Sequence, residues 1–498
     1  MKQTFFYLAL VLMLVSCTGG RAYTVREQVP PLLPDYTGIT LPCNIAPLNF
    51  RLEGAGRIEL DIQGRGQYHF RSNGPQLRFP QKAWKKMLRE ETGNTLTVTL
   101  KARFGRDRVQ YAPFTWEISA DRIDRYLSYR LIEPAYEVWN VLSIEERDVE
   151  TFRTRLLADN TRTESTCINC HTANRGDGPQ TTFMHVRGKK GGTLYSRNGQ
   201  LRKLNTATDS TAGAAVYGEI SADGRYGIFT TADIRPILHS GRNDKLEVFD
   251  AASDLILLDF EAGTVSDTPL VKGPEYQETF PCWSADGRTI YFCRAQALPQ
   301  PAGTFDMHYD LYSLAFDPEE GRLGQTLTKV VDATALGKSI SFPKCSPDGT
   351  TILMTVSDYG TFPIWHHETD LWLYHIETGT IDTLEAVNGR YSDSYHCWSR
   401  NGRWICWASK RDDRLYGKPY FAHVSADGTV SKPFVLPQKN PNYYLTTLKS
   451  FNIPELYPFP EAYDASYVSR FYRDMEPETM TYEKTSLLPS DRPSGASD

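Results

Sequence analysis

The stretch Ser284-Ala285-Asp286-Gly287-Arg288-Thr289-Ile290-Tyr291-Phe292 reads as a tight turn feeding a strand. Ser caps the turn, Asp tolerates the left-handed region, Gly supplies positive φ, and β-branched and aromatic residues follow. The same turn recurs at Ser196-Arg197-Asn198-Gly199, Ser221-Ala222-Asp223-Gly224, Ser346-Pro347-Asp348-Gly349, Ser399-Arg400-Asn401-Gly402 and Ser425-Ala426-Asp427-Gly428. A second half-motif alternates with it: Ser253-Asp254-Leu255, Tyr309-Asp310-Leu311 and Thr369-Asp370-Leu371. Two hairpins per ~55–60 residues make a four-stranded unit, the size of a propeller blade. The repeat therefore predicts an all-β chain with a β-propeller over 180–460. Five blades are counted, at about 180–210, 217–272, 280–332, 340–386 and 395–436, with room for six. The first is short, and strands near 441–456 are expected to complete it. An all-β sandwich with recurring turns is the plainer alternative.

Outward from the repeat, residues 41–121 alternate. Ile58, Leu60 and Ile62, then Leu96, Val98, Leu100, Ala102 and Phe104, then Phe114, Trp116 and Ile118 form period-two stripes. Such stripes predict half-buried strands and a β-sandwich-like domain, with one helical insert at Gln81–Glu91. In 122–179, Ser143-Ile144-Glu145-Glu146 resembles a capping box, and Val149, Phe152 and Leu156 follow at helical spacing. A helical linker is expected there. Residues 461–498 are rich in Glu, Asp, Ser and Pro and are expected to be largely disordered.

The amino terminus carries Lys2 and an apolar run, Phe5–Val15, ending at Ser16-Cys17. That is an export signal over 1–16, too short to span a bilayer. Leu14-Val15-Ser16-Cys17 resembles a bacterial lipobox, so Cys17 is the expected lipidation site and 17–40 a Pro-rich tether. The expected location is the cell envelope: a lipid anchor as the only membrane contact, on the outer membrane facing the periplasm. With 55 Lys+Arg against 60 Asp+Glu, no basic excess favours nucleic acid.

Cys167-Ile168-Asn169-Cys170-His171 is the C-x-x-C-H signature of c-type haem attachment. Two thiols add across the haem vinyl groups, and the adjoining imidazole reaches the iron. With 9 Cys and 10 His in 498 residues, the match is rare by chance. The rivals are a redox pair, which lacks a surrounding βαβ pattern, and a zinc site, which lacks a second C-x-x-C. One covalent haem c is expected, with His171 as the first iron ligand. For the opposite position, His185 shares its strand face with Arg187, which could pair with a propionate. Met184 is the alternate ligand, and an open position is the third reading. The remaining cysteines read as small buried hydrophobes, although Cys397 and Cys406, and likewise Cys282 and Cys293, could lie across a hairpin.

The chain resembles a family of exported TolB-like propeller lipoproteins carrying one c-type haem motif. The resemblance rests on Asn44–Phe50, Tyr129-Arg130-Leu131-Ile132-Glu133-Pro134, the haem motif, Met184-His185-x-Arg187-Gly188 and Ser450-Phe451-Asn452-Ile453-Pro454-Glu455. It departs at Ile220-Ser221, where the family pattern has Trp-His. The resemblance implies an envelope-anchored cytochrome whose propeller docks a redox partner for electron transfer. The alternative it carries is a TolB-like scaffold for an envelope protein, with a structural or sensory haem. No nucleophile elbow, zincin motif or phosphate loop is present, which weighs against an enzyme.

Overall fold

The computed structural model describes residues 22–133, 141–175, 178–239 and 246–484. The signal, Cys17 and the last 14 residues lie outside them, as do the side chains of Asn169 and Cys170.

The chain is all-β, and its contacts divide it into two units. In the first, the expected stripes form an antiparallel sheet in which Arg57–Gln63 pairs with Gln67–Ser72 and with Asn94–Phe104. Asn94–Phe104 pairs in turn with Asp107–Gln110 and Phe114–Ser119. Phe50–Arg51 and Gln76–Leu77 make a separate two-stranded piece. The expected insert is a helix, Gln81–Glu90, which buries Trp84, Met87 and Leu88. Trp84 meets Trp116 edge to face at 5.8 Å and Phe79 at 4.8 Å, so the core of this unit is aromatic.

Among the described residues the second unit holds six sheets, each with four antiparallel strands and two of them extended by a fifth, parallel strand. We number them I to VI and call the strand that starts each one its lead strand. The lead strands are Ser450–Tyr457 (I), Ile168–Ala173 (II), Val216–Ile220 (III), Tyr276–Trp283 (IV), Ser339–Cys345 (V) and Asp393–Trp398 (VI). They touch in the cyclic order I–II–III–IV–V–VI–I. Consecutive sheets pack face to face. Phe183 of II stacks on Phe229 of III at 4.2 Å. Tyr226 and Leu255 of III cluster with Trp283 and Phe292 of IV. Cys293 and Leu311 of IV cluster with Ile352 and Met354 of V. Each fully buried large apolar side chain contributes about 1.5–3 kcal/mol.

The repeated turn forms as its chemistry dictates. The Ser hydroxyl donates to the Asp or Asn side chain, as in Ser284 to Asp286 at 2.5 Å and Ser399 to Asn401 at 2.6 Å. It also accepts from the amide five residues on, as from Thr289 at 2.9 Å. The closing glycine takes positive φ, 68° at Gly287 and 71° at Gly349.

Three expectations are corrected. The helix expected after Ser143 is two strands, Leu142–Asp148 and Thr154–Asp159, paired antiparallel. The alternation there was hidden because inward positions are charged: Glu146, 4% exposed, receives Arg155 at 2.7 Å and the Tyr457 hydroxyl at 3.1 Å. The 122–179 segment is therefore mostly sheet, and the haem motif lies on a strand. Second, the strand Ser450–Tyr457 does not complete the 180–210 repeat. It pairs with Tyr126–Ile132 and closes sheet I. Third, the tail begins ordered: Asp464 caps a helix, Ala465–Asp474, by accepting from the Tyr467 amide at 2.8 Å. Glu478–Thr479 and Thr481–Tyr482 then add parallel edges to sheets II and III.

Candidate functional site

Every lead strand breaks register once. The break falls at Val216/Gly218, Thr279/Cys282, Ser341/Lys344 and Ser394/His396, and at Ser128/Arg130 opposite Ile453. At each of these five bulges a non-glycine residue sits at positive φ: Tyr217 (38°), Phe280 (49°), Phe342 (49°), Tyr395 (50°) and Ile453 (47°). Such conformations are costly, and persist only where surrounding structure imposes them. In sheet II the break lies between Asn169 and Thr172, so Cys170-His171 stands where the others carry Tyr217-Gly218, Phe280-Pro281 or Tyr395-His396. The attachment motif thus occupies the bulge of its lead strand.

The bulges converge. His171, Tyr217, Phe280, Phe342, Tyr395 and Ile453 line one small cavity of about 50 Å³. Phe280 and Phe342 lie 3.9 Å apart, and Tyr395 packs on Phe342 at 4.6 Å. Charged groups meet beside it. Glu219 is bonded to Arg175, which follows the haem motif, and to Lys344 at 2.8 Å. It also accepts from the Trp283 amide at 3.0 Å. Burial pushes the Glu219 carboxyl up, but Arg175 and Lys344 outweigh it and hold the group below its usual range.

His171 is 7% exposed, and neither ring nitrogen has a hydrogen-bond partner. The Ile453 backbone is close enough to favour protonation but makes no bond of proper geometry; burial, helped by Arg130, pulls the pKa to about 3. The equivalent residue His396 provides an internal control. Its Nε2 donates to the Leu353 carbonyl at 2.9 Å and its Nδ1 meets the Thr355 hydroxyl at 3.3 Å. One histidine at this place is satisfied by the neighbouring sheet, and the other is left with two open nitrogens. A buried polar group without a partner costs about 1–3 kcal/mol, so His171 is suited to a ligand rather than to packing.

Cys167 lines a second cavity, of about 120 Å³, with Arg130, Glu133, Arg187 and Lys410 around the apolar Phe362 and Trp365. Tyr217 and Tyr395 line both cavities, so the two adjoin. Burial raises the Cys167 thiol, against the pull of Arg130 and Arg187. The side chain of Cys170 lies outside the described residues. The donor set a covalent haem would need, an open buried imidazole and a thiol, is present on adjoining cavities, with Arg130, Arg187, Lys410 and Glu133 around Phe362 and Trp365.

The expected opposite ligands are not brought to His171. Met184 is fully buried in a hydrophobic cluster with Ile168, Leu194 and Phe471. His185 pairs in register with Asn169 and lines a third cavity, with Arg187 but without His171. The bulge explains this: it inserts Cys170 and His171 between the pairs Asn169–His185 and Thr172–Phe183, and so breaks the facial correspondence along the strand. The alignment of Cys170-His171 with Phe280-Pro281, Phe342-Pro343 and Tyr395-His396 was the signal that could have located the cavity. Arg130 had no such repeat to mark it.

No family model matches the chain, and no curated protein is similar to it. Among solved structures, a DUF4784 family protein from Bacteroides caccae ATCC 43185 is 10% identical, covering 70% of this chain and 94% of that one at a TM-score of 0.29. An ancestral GH74 enzyme is 8% identical, covering 70% of this chain and 50% of that one at a TM-score of 0.36. Likenesses this weak bear on neither architecture nor activity.

Proposed function

We propose that the protein is an envelope-anchored c-type cytochrome, tethered through Cys17, in which one haem c is carried by a six-bladed TolB-like propeller and passes electrons to a partner docked on the blades. The observation that carries the reading is His171: within an intact C-x-x-C-H, its buried ring leaves both nitrogens open, while the equivalent His396 bonds through both. The cyclic contact of six lead strands supports the propeller. Cys167 and Cys170 would hold the haem, His171 would bind its iron, and Arg187 would face its propionates from the lining of the Cys167 cavity. Bound haem supplies one-electron chemistry, tuned by axial ligand and burial. The protein's own part is to keep His171 neutral and to exclude water with the aromatic bulges.

A second reading, in which the iron's sixth position is open and the haem senses or binds a small ligand, is favoured by the placement of His185 on another cavity. One experiment addresses both. Protein made with c-type maturation machinery should keep haem through denaturing electrophoresis, and Cys167→Ser/Cys170→Ser should lose it. A reduced-minus-oxidised spectrum of low-spin type supports electron transfer; a high-spin spectrum that shifts with carbon monoxide supports sensing. Wild-type protein without covalent haem would overturn both.

A further inference from the structure

The third cavity holds about 440 Å³ and is bounded by His185, Arg187, Lys189 and the turn Gly188–Gly192. Its titratable lining is those three basic side chains, with no carboxylate among them. Arg187 is half-buried, and neither it nor Lys189 has a carboxylate partner among the described residues. A half-buried guanidinium that no carboxylate pairs keeps its fork of donors open to an anion. His185 bonds through Nδ1 to the Thr193 hydroxyl at 3.2 Å, and its other ring nitrogen makes no bond among the described residues. Burial, with Arg187 adding to it, pulls its pKa to about 4, so the ring is neutral at pH 7 and can donate or accept. Asn205 adds a side-chain amide.

The backbone contributes as well. Gly188 has φ +104°, and a Cβ there would strike Thr166 and the Tyr472 hydroxyl. At Gly191 a Cβ would lie 2.2 Å from the Val186 carbonyl. Only glycines allow this turn, which brings its main chain to the cavity wall beside the two cations.

We infer that this cavity is a binding site for a small organic anion bearing phosphate or carboxylate groups, held by Arg187 and Lys189 and oriented by His185. The lining is rich in donors: five from the guanidinium, three from the ammonium and two from the Asn205 amide. An occupant with several acceptor oxygens matches it, and an apolar or cationic one does not. The site stands independently of the haem reading, although Arg187 also faces the cavity of Cys167. Through that shared residue, an anion bound here would sit beside whatever the Cys167 cavity holds.

The test is calorimetric titration of the purified mature chain with inorganic phosphate and, separately, with citrate. Saturable binding of at least one is expected, weaker at high salt. Arg187→Gln and Lys189→Gln should each weaken it about tenfold, and the remote Arg71→Gln should leave it unchanged. Lys189 is exposed, so its variant tests the site even if Arg187→Gln fails to fold. A preference for phosphate over citrate, or the reverse, assigns the anion class. Absence of saturable binding for both probes, or binding indifferent to Lys189→Gln, overturns the site. So does binding seen only in Cys167→Ser/Cys170→Ser protein, because Arg187 would then belong to the haem side. Covalent haem is read separately by electrophoresis, so failure of either reading is recognised by itself.

Discussion

Replacing Glu219 with Ala leaves Arg175 and Lys344 in the interior without their bonded carboxylate, with the buried Glu455, whose carboxyl burial raises, as the acidic neighbour of both. The Glu219, Arg175 and Lys344 side chains are only 7%, 16% and 12% exposed, so solvent cannot take over the role of the carboxylate. Removing one partner of a buried pair costs about 3–5 kcal/mol. The Trp283 amide also loses its acceptor, a cost of about 1–3 kcal/mol that overlaps the first. A total near 4 kcal/mol is expected, against about 5–15 kcal/mol for a typical domain. Arg175, Glu219 and Lys344 come from the chain after the haem motif, from sheet III and from sheet V, so the loss should loosen three parts of the ring together. Urea unfolding followed by tryptophan fluorescence reads the effect as a lower midpoint at unchanged slope. Lys344→Met in the Glu219→Ala background removes one stranded charge and should recover part of the loss. A decrease below about 1 kcal/mol for Glu219→Ala would refute the reasoning, because it would mean the cations are hydrated or paired elsewhere.

Four further outcomes are expected. Met184→Ala should cost about 2–5 kcal/mol of stability through its buried position, yet leave the haem spectrum unchanged; a spectral change would restore Met184 as an iron ligand. Burial raises the carboxyls of Asp250, Glu278 and Glu461 to about 8. Their contribution to stability is complete below the unfolded values near 4, declines as pH rises, and is lost above about 8. The buried His171, His185 and His396, with pKa values pulled to about 3 to 4, oppose this trend below about pH 6.5, so thermal midpoints should fall between about pH 6.5 and 8, and Asp250→Asn should flatten that slope. The Cys282, Cys293 and Cys406 thiols are raised by burial, so alkylation followed by mass spectrometry should label them only after unfolding. Cys17→Ser should move the protein from the membrane to the soluble fraction, and unchanged fractionation would remove the lipid anchor.

Local chemistry was legible where neighbours in sequence carry the whole signal. The Ser-x-Asp-Gly turns, the period-two stripes of the amino-terminal unit and the helix at Gln81–Glu90 were readable in this way, because capping, positive φ and side-chain alternation are properties of a few adjacent residues. The C-x-x-C-H spacing at Cys167–His171 is likewise a pattern of adjacent residues. Cysteine pairing was only partly legible: Cys397 and Cys406 do stand opposite each other, but Cys282 faces Tyr291 and Cys293 faces Thr279, because the bulge at Phe280 shifts the register.

Long-range partnership was not legible. Leu142–Asp148 reads as a helix until Arg155 and Tyr457 are seen to satisfy Glu146 in the interior. Ser450–Tyr457 could have joined any open edge, and its antiparallel match with Tyr126–Ile132, some 320 residues earlier, was decided by tertiary pairing. The same holds at the site. The sequence by itself determined the Cys167-x-x-Cys170-His171 spacing and the alternation that puts His185 and Arg187 on one strand face. Tertiary structure alone decided that a bulge in the lead strand places His171 in a cavity with Tyr217 and Tyr395 and leaves His185 in another, because which cavity a side chain enters depends on strands that are distant along the chain.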